Sequence, residues 1–302
     1  MIRIALVASV AFVAFGFENP VRSKAPALAT ACISGKTGSA DCPNDVEIVA
    51  SDYAFTAPPS VNGGRATFRF VNHGKVRHEL NITRLKRGVS IDEFLDSVRQ
   101  DKSVQKLSEG PVGVLFAQPG HRSPSGLSID LTPGERYAVI CIFRDKKDAK
   151  RHYDLGMYKL ITIVAAESVA GSPQRATDTV VATDYAFQYP RNVSPGKHTF
   201  VFRNIGKMRH EFGISLLKKG VTLTRVRELE KTGANVDSLF EEDDYGLLHA
   251  RTGVTALGEL TMTFLPGREY AIFCFFRDTD KSPPHYELGM FGSIQVSSKP
   301  ST

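Results

Sequence analysis

The chain has 302 residues, 42% of them hydrophobic and 23% charged, with a formal net charge of +6. That length suits two domains of ordinary size, and that balance excludes a low-complexity or wholly disordered chain. The basic residues are scattered, as at Lys75, Arg77, Lys146 and Lys147, with no long run and no phosphate loop, so the charge reads as a solvated basic surface rather than a nucleic-acid footprint, and could favour an acidic protein partner or an anionic membrane face. In chain order, the first stretch is "MIRIALVASVAFVAFGF", an apolar run from Ile4 to Phe17 behind one Arg. It is too short to span a bilayer and has the length of a signal-peptide core. Residues 1–29 therefore read as a leader, cleaved after "AFG" or after "ALA", and the protein as periplasmic or secreted. No later segment reaches the length of a membrane helix. A small, polar segment, 30–43, follows, in which Cys32 and Cys42 flank "ISGKTGSAD". In an oxidising compartment the pair would close a short disulfide loop. The lesser alternative is a lipid anchor at Cys32, for which "LATAC" is a poor lipobox.

From residue 44 the chain contains itself twice. "SDYAF" (51–55) returns as "TDYAF" (183–187), "GKVRHE" (74–79) as "GKMRHE" (206–211), "PGERYAVICIFRD" (133–145) as "PGREYAIFCFFRD" (266–278), and "HYDLGM" (152–157) as "HYELGM" (285–290). A unit of this size is a whole domain rather than a solenoid repeat. The spacing predicts one domain over 44–165, a Pro/Gly-containing linker over 166–178, and a second domain over 179–298. Within each unit "ATFRFVN" and "TFVFRN" alternate with period two, the mark of a half-buried strand. "YAVICIF" and "YAIFCFF" are apolar on both faces and read as central strands. "SIDEFLDSVRQ" and "LTRVRELEKTG" predict a short amphipathic helix, the first capped by Ser90 with Glu93 three residues on. The pattern is all-β: two tandem sandwiches or Greek-key barrels, each with a short helical insertion.

Each unit carries two histidines, a cysteine and a methionine at matched places: His78, Cys141, His152 and Met157, then His210, Cys274, His285 and Met290. Singly, each would read as a core or surface residue. Together, two imidazoles and a thiolate with a weak axial thioether form the ligand set of a blue-copper electron-transfer site. The chain would then hold up to two copper ions. His73, His121, His198 and His249 have no counterpart in the other unit and read as surface residues. Cys141 and Cys274 could alternatively pair with each other. Arg144 with Asp145, and Arg277 with Asp278, are candidates for ion pairs that anchor the loop after each Cys. Glu79 and Glu211 are candidates to orient the preceding imidazole or brace a loop.

On these residues the sequence resembles the cupredoxin family, the blue copper proteins of the plastocyanin and azurin kind. The likeness lies in a His after an Asn-x-Gly turn ("NHGKVRHE", "NIGKMRHE"), a Cys ending a buried strand, and "H-x-x-x-x-M" with Gly before Met. It covers both units, and implies two cupredoxin-like Greek-key β-sandwiches with metal ligands on loops at one end, His78 and His210 as upstream imidazoles, Cys141 and Cys274 as thiolates, His152 and His285 as downstream imidazoles, and Met157 and Met290 as axial ligands. One departure stands out: ten residues separate Cys from the second His in each unit, more than is usual, which puts the rigidity of the site in question. The expected role is one-electron transfer with a redox partner protein. A copper carrier or store, favoured by the long loop, and a metal-free binding module are the alternatives. The chain has no H-x-H segment and no His beside either Cys, so a multicopper oxidase or nitrite reductase is not expected, nor any enzyme.

Overall fold

The computed structural model describes residues 45–100, 102–165 and 176–298. The expected leader, the Cys32–Cys42 loop, the lipid attachment at Cys32 and most of the expected linker lie outside these residues. Among the described residues, no helix is long and apolar enough to cross a membrane.

The two halves have the same nine strands. The first contains β1 (Asp45–Ser51), β2 (Ala54–Thr56), β3 (Ser60–Asn62), β4 (Gly64–Asn72), β5 (His78–Leu85), helix α1 (Ile91–Arg99), β6 (Ser108–Ala117), β7 (Arg122–Leu131), β8 (Arg136–Ile140) and β9 (Tyr158–Val164). The second contains β10 (Asp178–Thr183), β11 (Ala186–Gln188), β12 (Asn192–Val193), β13 (Gly196–Asn204), β14 (His210–Leu217), helix α2 (Leu223–Lys231), β15 (Phe240–Ala250), β16 (Glu259–Phe264), β17 (Glu269–Phe273), the single turn α3 (His285–Leu288) and β18 (Phe291–Val296). β1 follows the alternation of its sequence, with Val46, Ile48 and Ala50 turned into the core. β8 and β17 are buried along nearly their whole length, as their unbroken apolar runs require. α1 starts where the Ser90 hydroxyl accepts the Glu93 N–H at 3.1 Å, and α2 where the Thr222 hydroxyl accepts the Arg225 N–H at 3.3 Å. Phe94 and Leu95 on α1 and Val226 on α2 seal small satellite cores beside the sheets.

Each half is a two-sheet sandwich with one helical insertion, the all-β fold expected. How the halves meet was left open by the sequence; in the structure both sheets run through the molecule. One sheet has the order β11-β10-β13-β16-β7-β4-β1-β2, the other β12-β18-β17-β14-β15-β6-β5-β8-β9-β3. The seams are antiparallel, β16 against β7 and β15 against β6. At each seam a residue faces its own repeat counterpart: Leu260 pairs with Leu127, and Leu247 with Val114. A local two-fold axis therefore passes through the joint, as in an isologous dimer. A hydroxyl ladder crosses it: Thr67 to Ser128 at 2.8 Å, Ser128 to Thr261 at 3.2 Å, and Thr261 to Thr199 at 3.0 Å. Arg65 pairs with Glu259 across the same seam. Gly113 and Gly246 let the sheets close. A Cβ on Gly113 would lie 2.7 Å from the Leu247 carbonyl oxygen, and one on Gly246 2.8 Å from that of Val114. The main core is consequently continuous from Phe68 and Phe70 in one half to Phe200, Phe202 and Phe212 in the other.

Candidate metal centres

In each half the candidate ligands come from three places at one end of the sandwich. His78 opens β5, behind a turn closed by Asn72 at the end of β4. The wholly buried Asn72 amide donates to the carbonyls of Val76 (2.8 Å) and Ala117 (3.0 Å), and its oxygen accepts the Gly74 N–H at 2.8 Å. Asn204 repeats this before His210, donating to Met208 and Ala250 and accepting from Gly206. Cys141 and Cys274 directly follow β8 and β17. Both are free and buried, so they do not pair with each other. His152 and His285 begin the short helical turns before β9 and β18.

The ten-residue loop does not leave the second histidine loose. Its base closes like a hairpin: the His152 N–H donates to Phe143 O at 2.8 Å and the Tyr153 N–H to Cys141 O at 3.0 Å. In the other half His285 donates to Phe276 O at 2.8 Å and Tyr286 to Cys274 O at 2.9 Å. The additional residues form a tip beyond this clasp, and Cys and His become near neighbours across it. Met157 and Met290 are tied in by the same network. Cys141 donates to Met157 O at 3.2 Å and Met157 to His152 O at 3.0 Å, with 3.1 and 3.0 Å for the equivalent bonds of the second half. Gly156 and Gly289, with φ of 107° and 131°, make the left-handed step that turns the chain into each methionine. Both methionine side chains are wholly buried in the core that contains the cysteines.

The donor atoms converge. In the first half the two Nδ1 atoms lie 3.1 Å apart, and Cys141 Sγ lies 3.4 Å from His152 Nδ1 and 3.9 Å from His78 Nδ1. In the second half the corresponding distances are 3.0, 3.5 and 3.9 Å. A trigonal ion with bonds of about 2.0 Å to nitrogen and about 2.3 Å to sulfur would hold its donors about 3.5 to 3.7 Å apart. The two triangles therefore fit such an ion with small adjustments. All six residues are buried. Burial, and then the neighbouring His152, push the His78 imidazole down to about 4; burial and His285 do the same to His210. Burial pushes the Cys141 thiol well above its ordinary range and the Cys274 thiol up to about 12. Neutral imidazoles offer lone pairs, and a thiol this buried ionises readily only against a cation. Two imidazole nitrogens and a soft thiolate sulfur are donors that suit copper among first-row metals.

Several residues brace this geometry. The Glu79 N–H points at Cys141 Sγ at 3.5 Å, and the Glu211 N–H at Cys274 Sγ at 3.3 Å. The Glu79 carboxylate accepts the Ile142 N–H at 3.0 Å and that of Glu211 the Phe275 N–H at 2.7 Å, so both glutamates brace the loop after the Cys rather than the imidazole. The "FRD" aspartates do not pair with their neighbouring arginines, as the sequence suggested. Arg144 and Arg277 turn to carbonyls of their own loops. Asp145 instead accepts from His152 Nε2 at 3.0 Å, and Asp278 from His285 Nε2 at 2.9 Å. The second oxygen of each takes the hydroxyl of a tyrosine, Tyr53 or Tyr185. These tyrosines carry no role in the sequence reading, although "DYAF" lies in both repeats. Their neighbours Asp52 and Asp184 accept the N–H groups of Lys75 and Lys207 at 2.6 Å, fastening the loop before the first histidine. His73 and His121 are exposed, but two other supposed surface histidines are not. His198 is half-buried against Asp178 at 2.6 Å. His249 lies 3.5 Å from Glu211 and packs on Phe276, at the register position that Phe116 occupies in the first half.

No family model matches the chain, and no curated protein matches it. Among solved structures it is similar to reduced auracyanin from Roseiflexus castenholzii, at 15% identity over 41% of this chain and 98% of that one, with a TM-score of 0.29. It is also similar to a multicopper oxidase, at 15% identity over 84% of this chain and 88% of that one, TM-score 0.24. A third is the copper nitrite reductase of Nitrosomonas europaea, at 13% identity over 85% of this chain and 94% of that one, TM-score 0.24. The strand order and paired ligand loops described above define each half as a cupredoxin-like sandwich. The expectation that the chain is not an enzyme does not stand. The similar solved structures include a multicopper oxidase and a copper nitrite reductase, so a non-enzymatic role is not supported.

Proposed function

We propose that this is an exported copper protein that binds one type 1-like ion in each half and transfers single electrons with a redox partner protein. The observation that carries the reading is the pair of buried His–Cys–His triangles, each beside a buried methionine and each of a size that one ion fills. His78, Cys141, His152 and Met157 would hold one ion, and His210, Cys274, His285 and Met290 the other. Copper so bound would supply a one-electron couple whose thiolate bond links it electronically to the chain. The protein's part is to keep the donors in one arrangement for both oxidation states, which lowers the reorganisation accompanying each transfer. The hairpin clasp of the ten-residue loop, the asparagine-closed turn and the buried glutamates all serve that end, and they favour electron transfer over ready copper release. The apolar N-terminal run supports export, and the net positive charge supports an acidic partner.

The two sites do not face each other. His78 pairs opposite Ala117 and His210 opposite Ala250, three residues to either side of the Val114–Leu247 pair on antiparallel strands. Strand rise and spacing then put them about 25 Å apart, at opposite ends of the sheet. Each site therefore serves as a separate port rather than as one step of a close relay. The test is titration of the metal-free protein with Cu(II), followed by visible absorption. Two equivalents should develop an intense thiolate-to-copper band. Cys141→Ser and Cys274→Ser should each remove about half of it, and the double variant all of it. A wild-type protein that develops no band would sink the reading.

A further inference from the structure

We propose that Tyr53 with Asp145, and Tyr185 with Asp278, are positioning pairs that aim the downstream imidazole and tune the reduction potential of the metal it holds. The inference rests on the copper reading above and assigns these four residues a part in it. Each aspartate takes His Nε2 on one oxygen and a tyrosine hydroxyl on the other. The carboxylate fixes the ring proton on Nε2, which leaves the Nδ1 lone pair turned towards Cys Sγ and the other histidine. Each tyrosine ring also stands edge-on to the same imidazole, with centroids 5.1 Å apart in the first half and 5.2 Å in the second, which fixes the plane of the ring.

The backbone points the same way. Among the described residues, Tyr53 and Tyr185 are the non-glycine residues with positive φ, both at 61°. A bulky side chain held there is strained and persists only where its surroundings impose it. The same strained turn, 132 residues apart, delivers the same hydroxyl to the same carboxylate.

The charges give opposite signs for the two partners. A carboxylate behind the imidazole pushes electron density towards Nδ1 and favours Cu(II) over Cu(I). The phenol hydroxyl withdraws part of that charge. Losing the carboxylate should therefore raise the potential, and losing the hydroxyl should lower it. A purely structural role would loosen the site in both cases and move the potential one way.

The experiment uses the full chain carrying Cys274→Ser, so that only the first site is read. The potential and the Cu(II) and Cu(I) affinities are measured for this parent and for its Asp145→Asn and Tyr53→Phe variants. Asp145→Asn should weaken Cu(II) binding about 10- to 100-fold and Cu(I) binding less, raising the potential by about 59 mV for each factor of ten between them. Pulsed EPR should show the coupling of one imidazole nitrogen changed and the other kept. Tyr53→Phe keeps the ring and should lower the potential, so it decides the matter even if Asp145→Asn binds no copper. Potentials that do not move, or that move in the same direction, overturn the proposal while leaving the copper reading intact. A parent without the charge-transfer band removes both.

Discussion

Asn72 shows how much of each site depends on residues that never touch a metal. Its side chain makes three hydrogen bonds inside a wholly buried turn, and Asn204 makes the same three. Replacing Asn72 with Ala strands two carbonyls and one N–H in the interior, so we expect a loss of about 3 kcal/mol, read from chemical denaturation of the metal-free protein. The copper band should also weaken, because the turn presents His78. The candidate ligands could be picked from the sequence because Cys, His and Met are uncommon and recur at one offset. Tyr53 and Asp145 could not, since aromatic and acidic residues are plentiful and these two meet only across 92 positions. His249 was misread because it lacks a counterpart. Its place beside Glu211 follows from the β14–β15 register, which no local pattern encodes.

At the scale of elements, the strands and both helices were legible because each obeys a local rule: period-two alternation, an unbroken apolar run, or a hydroxyl cap before an amphipathic turn. Ser90→Ala should remove the cap of α1 and lower stability by about 1 kcal/mol, measurable as an earlier denaturation midpoint. Copper binding should be little changed, since Ser90 caps the end of α1 opposite Arg99, the residue that meets Asp154 in the turn begun by His152. The ten-residue loop between Cys and His was the element least legible in advance. Counting residues suggests slack, whereas the backbone bonds at its base make the effective connection between Cys141 and His152 very short. Those bonds depend on which carbonyls the fold leaves unpaired, and a sequence does not announce that.

At the scale of the whole molecule, the repeat revealed two halves but not their fusion into continuous sheets, since pairing between distant edge strands leaves no local signature. The glycines at the joint provide the check. Gly246→Val would force a side chain into the Val114 carbonyl, and such overpacking costs about 1–3 kcal/mol. The expected result is a lower melting temperature, with the first half losing cooperativity alongside the second. The two-fold relation between the halves has a further consequence. In an assembly of identical subunits every substitution appears twice, and an asymmetric adjustment is impossible. With both halves on one polypeptide, a change can be confined to one end. Where the first half has Phe116, the second has His249 at the same register position, an imidazole at one pole and a phenyl ring at the other. The covalent join thus frees each pole to meet a different counterpart without disturbing its twin.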